Sequence, residues 1–109
     1  MNRYTIYCTP EQTKKALELG APINKRYNRF EEFDECILDK PTAEEMIGWL
    51  QEQGVYVEIT KSFIADYQSL VHDSHSTRFY DEYLSSRKEA TLAAIDAALE
   101  YLSNEKIKH

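Results

Sequence analysis

The sequence predicts a single α+β domain over residues 1–109, with three helices packed on one face of a mostly antiparallel sheet, in the order roughly β-α-β-β-α-β-β-α. Three observations predict it. A Thr or Ser followed three residues later by Gln or Glu stands in front of an apolar-periodic segment three times, the capping-box signature of a helix start. Glycine follows the first two of these segments, where a helix needs a left-handed residue to stop. Between the helices lie β-branched and aromatic runs, one of which alternates apolar and polar residues with the period of a half-buried strand.

Taken in order, Tyr4 to Cys8 is a short β-favouring run. Thr9-Pro10-Glu11-Gln12 then opens a first helix from Pro10 to about Leu19, with Thr13, Ala16 and Leu17 as its inner stripe, Gly20 as its stop and Pro22 preventing continuation. Lys25 to Phe30 reads as an exposed strand and Glu35 to Leu38 as a short one. Thr42-Ala43-Glu44-Glu45 opens a second helix from about Ala43 to Gln53. It buries Ala43, Met46, Ile47 and Leu50, places Trp49 at the edge of that stripe and stops at Gly54. Val55 to Thr60 alternates, with Val55, Val57 and Ile59 facing the core. Phe63 to His72 continues in the same style, with Phe63, Ala65, Tyr67 and Val71 on one side, so that Lys61-Ser62 reads as a hairpin turn without the usual Gly or Asn. Asp73 to Thr77 is a polar loop. Phe79 to Leu84 reads either as a last strand or as an irregular lead into the third helix. Ser86-Arg87-Lys88-Glu89 opens that helix, from about Arg87 to Asn104. Leu92, Ile95, Leu99 and Leu102 share one of its faces, and Ala94 and Ala98 flank them, small enough for close approach to a neighbour.

Composition sets the bounds on function. With 42% hydrophobic and 29% charged residues, the chain has enough apolar surface to offset chain entropy, which excludes a disordered protein. Thirteen Lys and Arg against 19 Asp and Glu leave a net charge of −6, so a domain-wide attraction to nucleic acid or anionic lipid is not expected. No stretch approaches the roughly 18 apolar residues of a membrane span, and Met1 to Tyr4 lacks the apolar core of a signal peptide. A cytoplasmic protein with no membrane partner and no cofactor is the expectation. The two cysteines, Cys8 and Cys36, form no CxxC pair and read as small buried hydrophobes.

Four groups of residues could carry chemistry or contacts. His72, Asp73 and His75 could begin a metal site or an acid–base pair, although a catalytic zinc needs a third protein ligand that the spacing does not supply. Cys8, just ahead of a helix N-terminus, stands where a thiolate would be favoured, and His72 could serve as its base. Lys25, Arg26 and Arg29 alternate with Tyr27 and Phe30, a pattern suited to phosphates and stacked bases. Glu31, Glu32, Asp34 and Glu35 follow at once and cancel its field. Tyr27, Phe30, Trp49, Tyr56, Phe79, Tyr80 and Tyr83 supply aromatic surface for contact with a protein partner or a second copy of the chain. None of the phosphate-loop, dinucleotide, nucleophile-elbow or HExxH motifs is present.

Three stretches carry a resemblance: Cys8 to Pro22 (CTPEQTKKALELGAP), Pro41 to Leu50 (PTAEEMIGWL) with Gly54 to Val57 (GVYV), and Lys88 to Leu102 (KEATLAAIDAALEYL). In these the chain resembles a group of small uncharacterised proteins encoded in gut Bacteroidetes genomes, commonly in phage or mobile regions. The resemblance spans most of the chain and is weakest from Lys61 to Tyr83. Its matching positions are caps, stops and core stripes, and it implies an accessory protein with no assigned activity. The leading expectation is therefore a non-enzymatic accessory protein acting through protein–protein interaction, homodimerisation included, with no catalytic residues. The alternatives are a small metal-dependent or hydrolytic enzyme using His72, Asp73 and His75, and, more weakly, nucleic-acid binding through Lys25, Arg26 and Arg29.

Overall fold

A computed structural model describes residues 5–23, 25–27, 36–38, 40–63 and 66–107, with the backbone alone at 25–27, 36–38, 106 and 107. The elements are α1 (Pro10–Glu18), β1 (Lys25–Tyr27), β2 (Cys36–Leu38), α2 (Ala43–Glu52), β3 (Val55–Lys61), β4 (Tyr67–Asp73), β5 (Arg78–Leu84) and α3 (Arg87–Ile107). The fold is α+β, with all strand pairs antiparallel. β3, β4 and β5 form one sheet in that order, and β1 pairs with β2 in a separate ribbon. α3 lies across all three strands of the larger sheet. α2 packs beside it against β3, and α1 packs on α3 and β2. No described helix is long and apolar enough to cross a membrane.

The helix starts follow the predicted chemistry. Thr9 and Thr42 each accept from the amide three residues on, and Gln12 and Glu45 reach back to the cap amides. The third start is half of such a box. Ser86 accepts from the Glu89 amide at 3.1 Å, while the Glu89 carboxylate accepts from the Ser85 hydroxyl at 2.8 Å. Gly20 (φ 99°) and Gly54 (φ 86°) end α1 and α2 in the left-handed region, where a side chain is strained.

Two expected features differ, and one of the two readings of a third is decided. The leading strand is reduced, among the described residues, to one bridge between Tyr7 and Thr42, with Cys8 donating to the Pro41 carbonyl and Ala43 to that of Ile6. Helix starts at Thr9 and Thr42 truncate the pairing on both sides. The turn at Lys61-Ser62 is instead a five-residue loop: pairing ends at Lys61 opposite Tyr67, and the Ser62 amide donates to the Asp66 carbonyl at 2.8 Å. A two-residue turn needs residues that tolerate positive φ, and neither Lys nor Ser is suited to it. Phe63 consequently sits exposed in the loop rather than on the strand's inner face, and Ala65 lies outside the described residues. Phe79 to Leu84 belongs to a full strand, β5, which gives the sheet its third member.

The inner stripes also shift. In α1 the buried residues are Gln12, Thr13 and Ala16, with Leu17 half-buried. In α3 the alanines are the inner face itself: Ala90, Ala94 and Ala98 are fully buried beside Thr91, Ile95 and Leu99, whereas Leu92 and Leu102 are half-buried. Met46 and Leu50 of α2, Val55 of β3, Val71 of β4 and Cys8 complete the core. Ser69, buried on β4, donates from Oγ to the Ala90 carbonyl at 2.7 Å, so the helix backbone comes within reach of a short sheet side chain.

Gln12 joins α1 to α3. Its Oε1 accepts from the Thr9 amide at 3.0 Å, and its Nε2 donates to the Leu92 carbonyl and to Asp96 Oδ1, each at 2.8 Å. Gln12→Ala is expected to lose about 2–3 kcal/mol in urea unfolding, from the cap and the two part-buried hydrogen bonds together. Gln12→Glu keeps the cap acceptor but turns an oxygen toward Leu92 O and Asp96. Its loss at neutral pH shrinks as the pH is lowered, because the protonated carboxyl donates again. Ala94→Leu overfills the α3–sheet contact and is expected to cost about 1–3 kcal/mol, measured the same way.

Candidate functional site

The helices cover one side of the β3-β4-β5 sheet, and strand alternation places Tyr56, Glu58, Gln68, Leu70, His72, Asp81 and Tyr83 on the other. This open face pairs its own polar groups. His72 stacks on Tyr56 with ring centroids 5.2 Å apart, and its Nε2 lies 3.9 Å from Glu58 Oε1. Gln68 Nε2 donates to Asp81 Oδ1 at 3.0 Å, and Arg78 lies 4.0 Å from the other Asp81 oxygen.

His72, Asp73 and His75 do not converge. His72 Nδ1 is 2.9 Å from the Asp73 carbonyl, which can only accept, so that nitrogen carries the hydrogen. The Asp73 carboxylate turns into the hairpin instead, where Oδ1 accepts from the His75 and Thr77 amides, both at 2.9 Å. The Thr77 amide bond is the main reason its carboxyl titrates below the ordinary range. Ser76, at φ 63°, supplies the left-handed residue that closes this loop, and His75 is exposed. Among the described residues, no group of three or more His, Cys, Asp or Glu side chains is placed to hold a metal ion.

Cys8 is fully buried, and its thiol is pushed up to about 11, first by burial and then by the nearby carboxylates of Asp96 and Glu45. The activation expected from the α1 N-terminus is overturned. Desolvation and two like charges disfavour the thiolate, and the sulfur's polar neighbour is the Thr42 carbonyl at 4.0 Å rather than a base. The reading of Cys8 as a small buried hydrophobe is the one that fits.

The aromatic set is distributed over three places. Tyr56 and the exposed Tyr83 are on the open face. Phe79 and Tyr80 both pack against the core on the helix side, because a bulge between Val71 and His72 pairs Val71 with Tyr80 and His72 with Arg78, leaving Phe79 as the extra residue. Phe79 stacks on Tyr101 of α3 at 4.2 Å between centroids. Trp49 is half-buried on α2 and lines a groove of about 390 Å³. Ala21, Pro22, Ile23 and Pro41 form one wall of this groove. The α2 wall is Glu45, Met46, Gly48, Trp49 and Glu52. A Cβ added to Gly48 would meet nothing within 4 Å, so the missing side chain leaves the groove open rather than relieving a clash.

Sequence reasoning identified Trp49 as a half-exposed edge but missed the groove around it. The available signal was Glu45, Gly48, Trp49 and Glu52 at i, i+3, i+4 and i+7, one face of a helix. The opposite wall, from the turn after α1 and the approach to α2, has no such periodicity. Phe30 and Arg29, and the side chains of Lys25, Arg26, Tyr27 and Cys36, lie outside the described residues. Set against known proteins, the chain matches no family model, no curated protein and no solved structure.

The Cys8 thiol gives a pH signature. Its folded pKa, about 11, lies above the ordinary thiol value of 9.0, so folding favours the protonated form. Its contribution is intact below about pH 9 and is lost progressively as the pH rises from 9 toward 11. Peptide mapping after brief iodoacetamide treatment at pH 8 should show Cys8 alkylated about 100-fold more slowly in the native protein than in urea.

Proposed function

We propose that the protein is a non-enzymatic accessory protein, of the phage- or mobile-element type its sequence resembles, that acts through protein–protein contact at the α2 groove. The observation that carries this reading is Gly48. Glycine in a helix interior costs about 0.5–1 kcal/mol relative to alanine, yet here a Cβ would meet nothing, so folding gives no reason for it. What the glycine provides is room beside Trp49, in a groove whose remaining walls are largely apolar. Large aromatic side chains in such concavities are the usual anchors of protein recognition. The groups an enzyme would recruit are engaged elsewhere: Asp73 by loop amides, His72 by Tyr56 and the Asp73 carbonyl, and Cys8 by burial. A second copy of the chain is one partner this surface could take.

Trp49 is the chain's single tryptophan, so its emission reports on the groove directly. A random peptide library panned on the purified protein is expected to enrich sequences that shift Trp49 emission and bind Gly48→Leu at least about tenfold more weakly, a loss of roughly 1.4 kcal/mol. Gly48→Leu itself should unfold at higher urea than the parent. Enrichment of no peptide that perturbs Trp49 would remove the groove as a contact surface, and binding unaffected by Gly48→Leu would place the contact elsewhere.

A further inference from the structure

The charge pattern of the groove points to the chemistry of its occupant. We infer that it takes a polyproline-II segment of a partner protein, carrying two cationic residues three apart with an apolar residue between them. This rests on the reading of the α2 groove as the contact surface.

Glu45 and Glu52 stand at the two ends of the α2 wall, with Gly48 and Trp49 between them on the same face. Seven residues at 1.5 Å each separate them by about 10.5 Å along the helix. In an extended strand, residues three apart point to opposite sides, so two cations at that spacing cannot both face the rim. A polyproline-II segment has three residues per turn and a rise of about 3.1 Å, so residues three apart share a face and lie about 9.3 Å from each other. Arginine or lysine side chains are long enough to cover the difference. The apolar one of the two residues between them then enters the space left by Gly48, against Trp49 and the Pro22 and Pro41 wall. Such a segment is largely preformed, so a small groove has little ordering entropy to offset.

Both carboxylates are suited to the role. Glu45 is held in place by the Thr42 amide at 3.1 Å and the Thr42 hydroxyl at 3.0 Å, bonds that also keep it ionised below the ordinary carboxylate range. Glu52 is exposed at the C-terminal end of α2, where a carboxylate is unfavourable to the helix dipole and gains from a cationic partner. No basic residue occupies the last turn of α2 to neutralise it.

The test uses the full chain and a synthetic probe, acetyl-Pro-Pro-Arg-Leu-Pro-Arg-Pro-Pro-amide, followed by Trp49 emission and amide chemical shifts. Saturable binding is expected, with amide shifts confined to α2, Ala21 and Ile23, since Pro22 and Pro41 carry no amide hydrogen. Replacing both arginines by glutamate, or the leucine by glycine, should weaken it about tenfold or more. Glu45→Gln combined with Glu52→Gln should do the same and flatten the salt dependence. Glutamine still completes the Thr42 capping box, so loss of fold would not explain the result. Equal affinity for the arginine and glutamate probes would overturn the inference. So would a silent arginine probe when library-selected peptides of other chemistry occupy the groove, an outcome that leaves the groove itself standing as a binding surface. If neither the probe nor any selected peptide perturbs Trp49, both readings fall.

Discussion

The close approach of α3 to the sheet is the constraint on which the remaining packing depends. Ala90, Ala94 and Ala98 present methyl groups where larger side chains would hold the layers apart, and Ser69 measures the result by bonding directly to a helix carbonyl. Once α3 is seated, Ile95 and Leu99 reach Met46, Leu50, Val55 and Val71 in one continuous cluster. The inner face of α3 is built from three alanines with Ile95 and Leu99, while Leu92 and Leu102 lie at the margins. Space, rather than hydrophobic bulk, orients it.

Two polar devices adapt the layers to that close contact. Gln12 is buried, yet both its amide oxygen and its amide nitrogen are engaged: it caps α1 and ties α1 to α3 through a carbonyl and a carboxylate. Among the described residues, no buried side-chain nitrogen or oxygen lacks a partner. The bulge at Val71/His72 sends both Phe79 and Tyr80 inward, and so covers the end of α3 around Tyr101. Its other consequence is on the open face, where His72 is left opposite Arg78 and stacked on Tyr56. The polar residues of that face pair with one another around a buried Leu70. The α2 groove is lined by the half-buried Trp49, with two exposed carboxylates at its rim.

How legible these features were in the sequence depended on their range. Capping boxes at Thr9 and Thr42 and glycine stops at Gly20 and Gly54 are local: cap, partner and stop lie within a few residues, and φ is decided by the residue itself. Alternation in Val55 to Ile59 is equally local. The leading strand and the Lys61-Ser62 turn were misread because pairing length is decided by the partner strand and by where neighbouring helices begin. The candidate site shows the same division. Trp49 could be placed at the edge of its helical stripe, but the wall from Ala21 to Ile23 is brought opposite it only by the packing of α1 on α3. Cys8 sits before a helix N-terminus, as its position indicates, yet burial beside Asp96, some 90 residues away, decides its protonation.

The sequence by itself determined where the helices start and stop, which strand faces are apolar and that the domain is α+β, because capping, glycine conformation and side-chain periodicity act over a turn or less. Only the tertiary structure decided that α3 faces the sheet with its alanines, that Phe79 and Tyr80 share a side, and that Glu45, Gly48, Trp49 and Glu52 border an open groove. Those outcomes depend on distances between segments far apart in the chain, and such distances are set when side-chain volumes on both sides of an interface are fitted to each other.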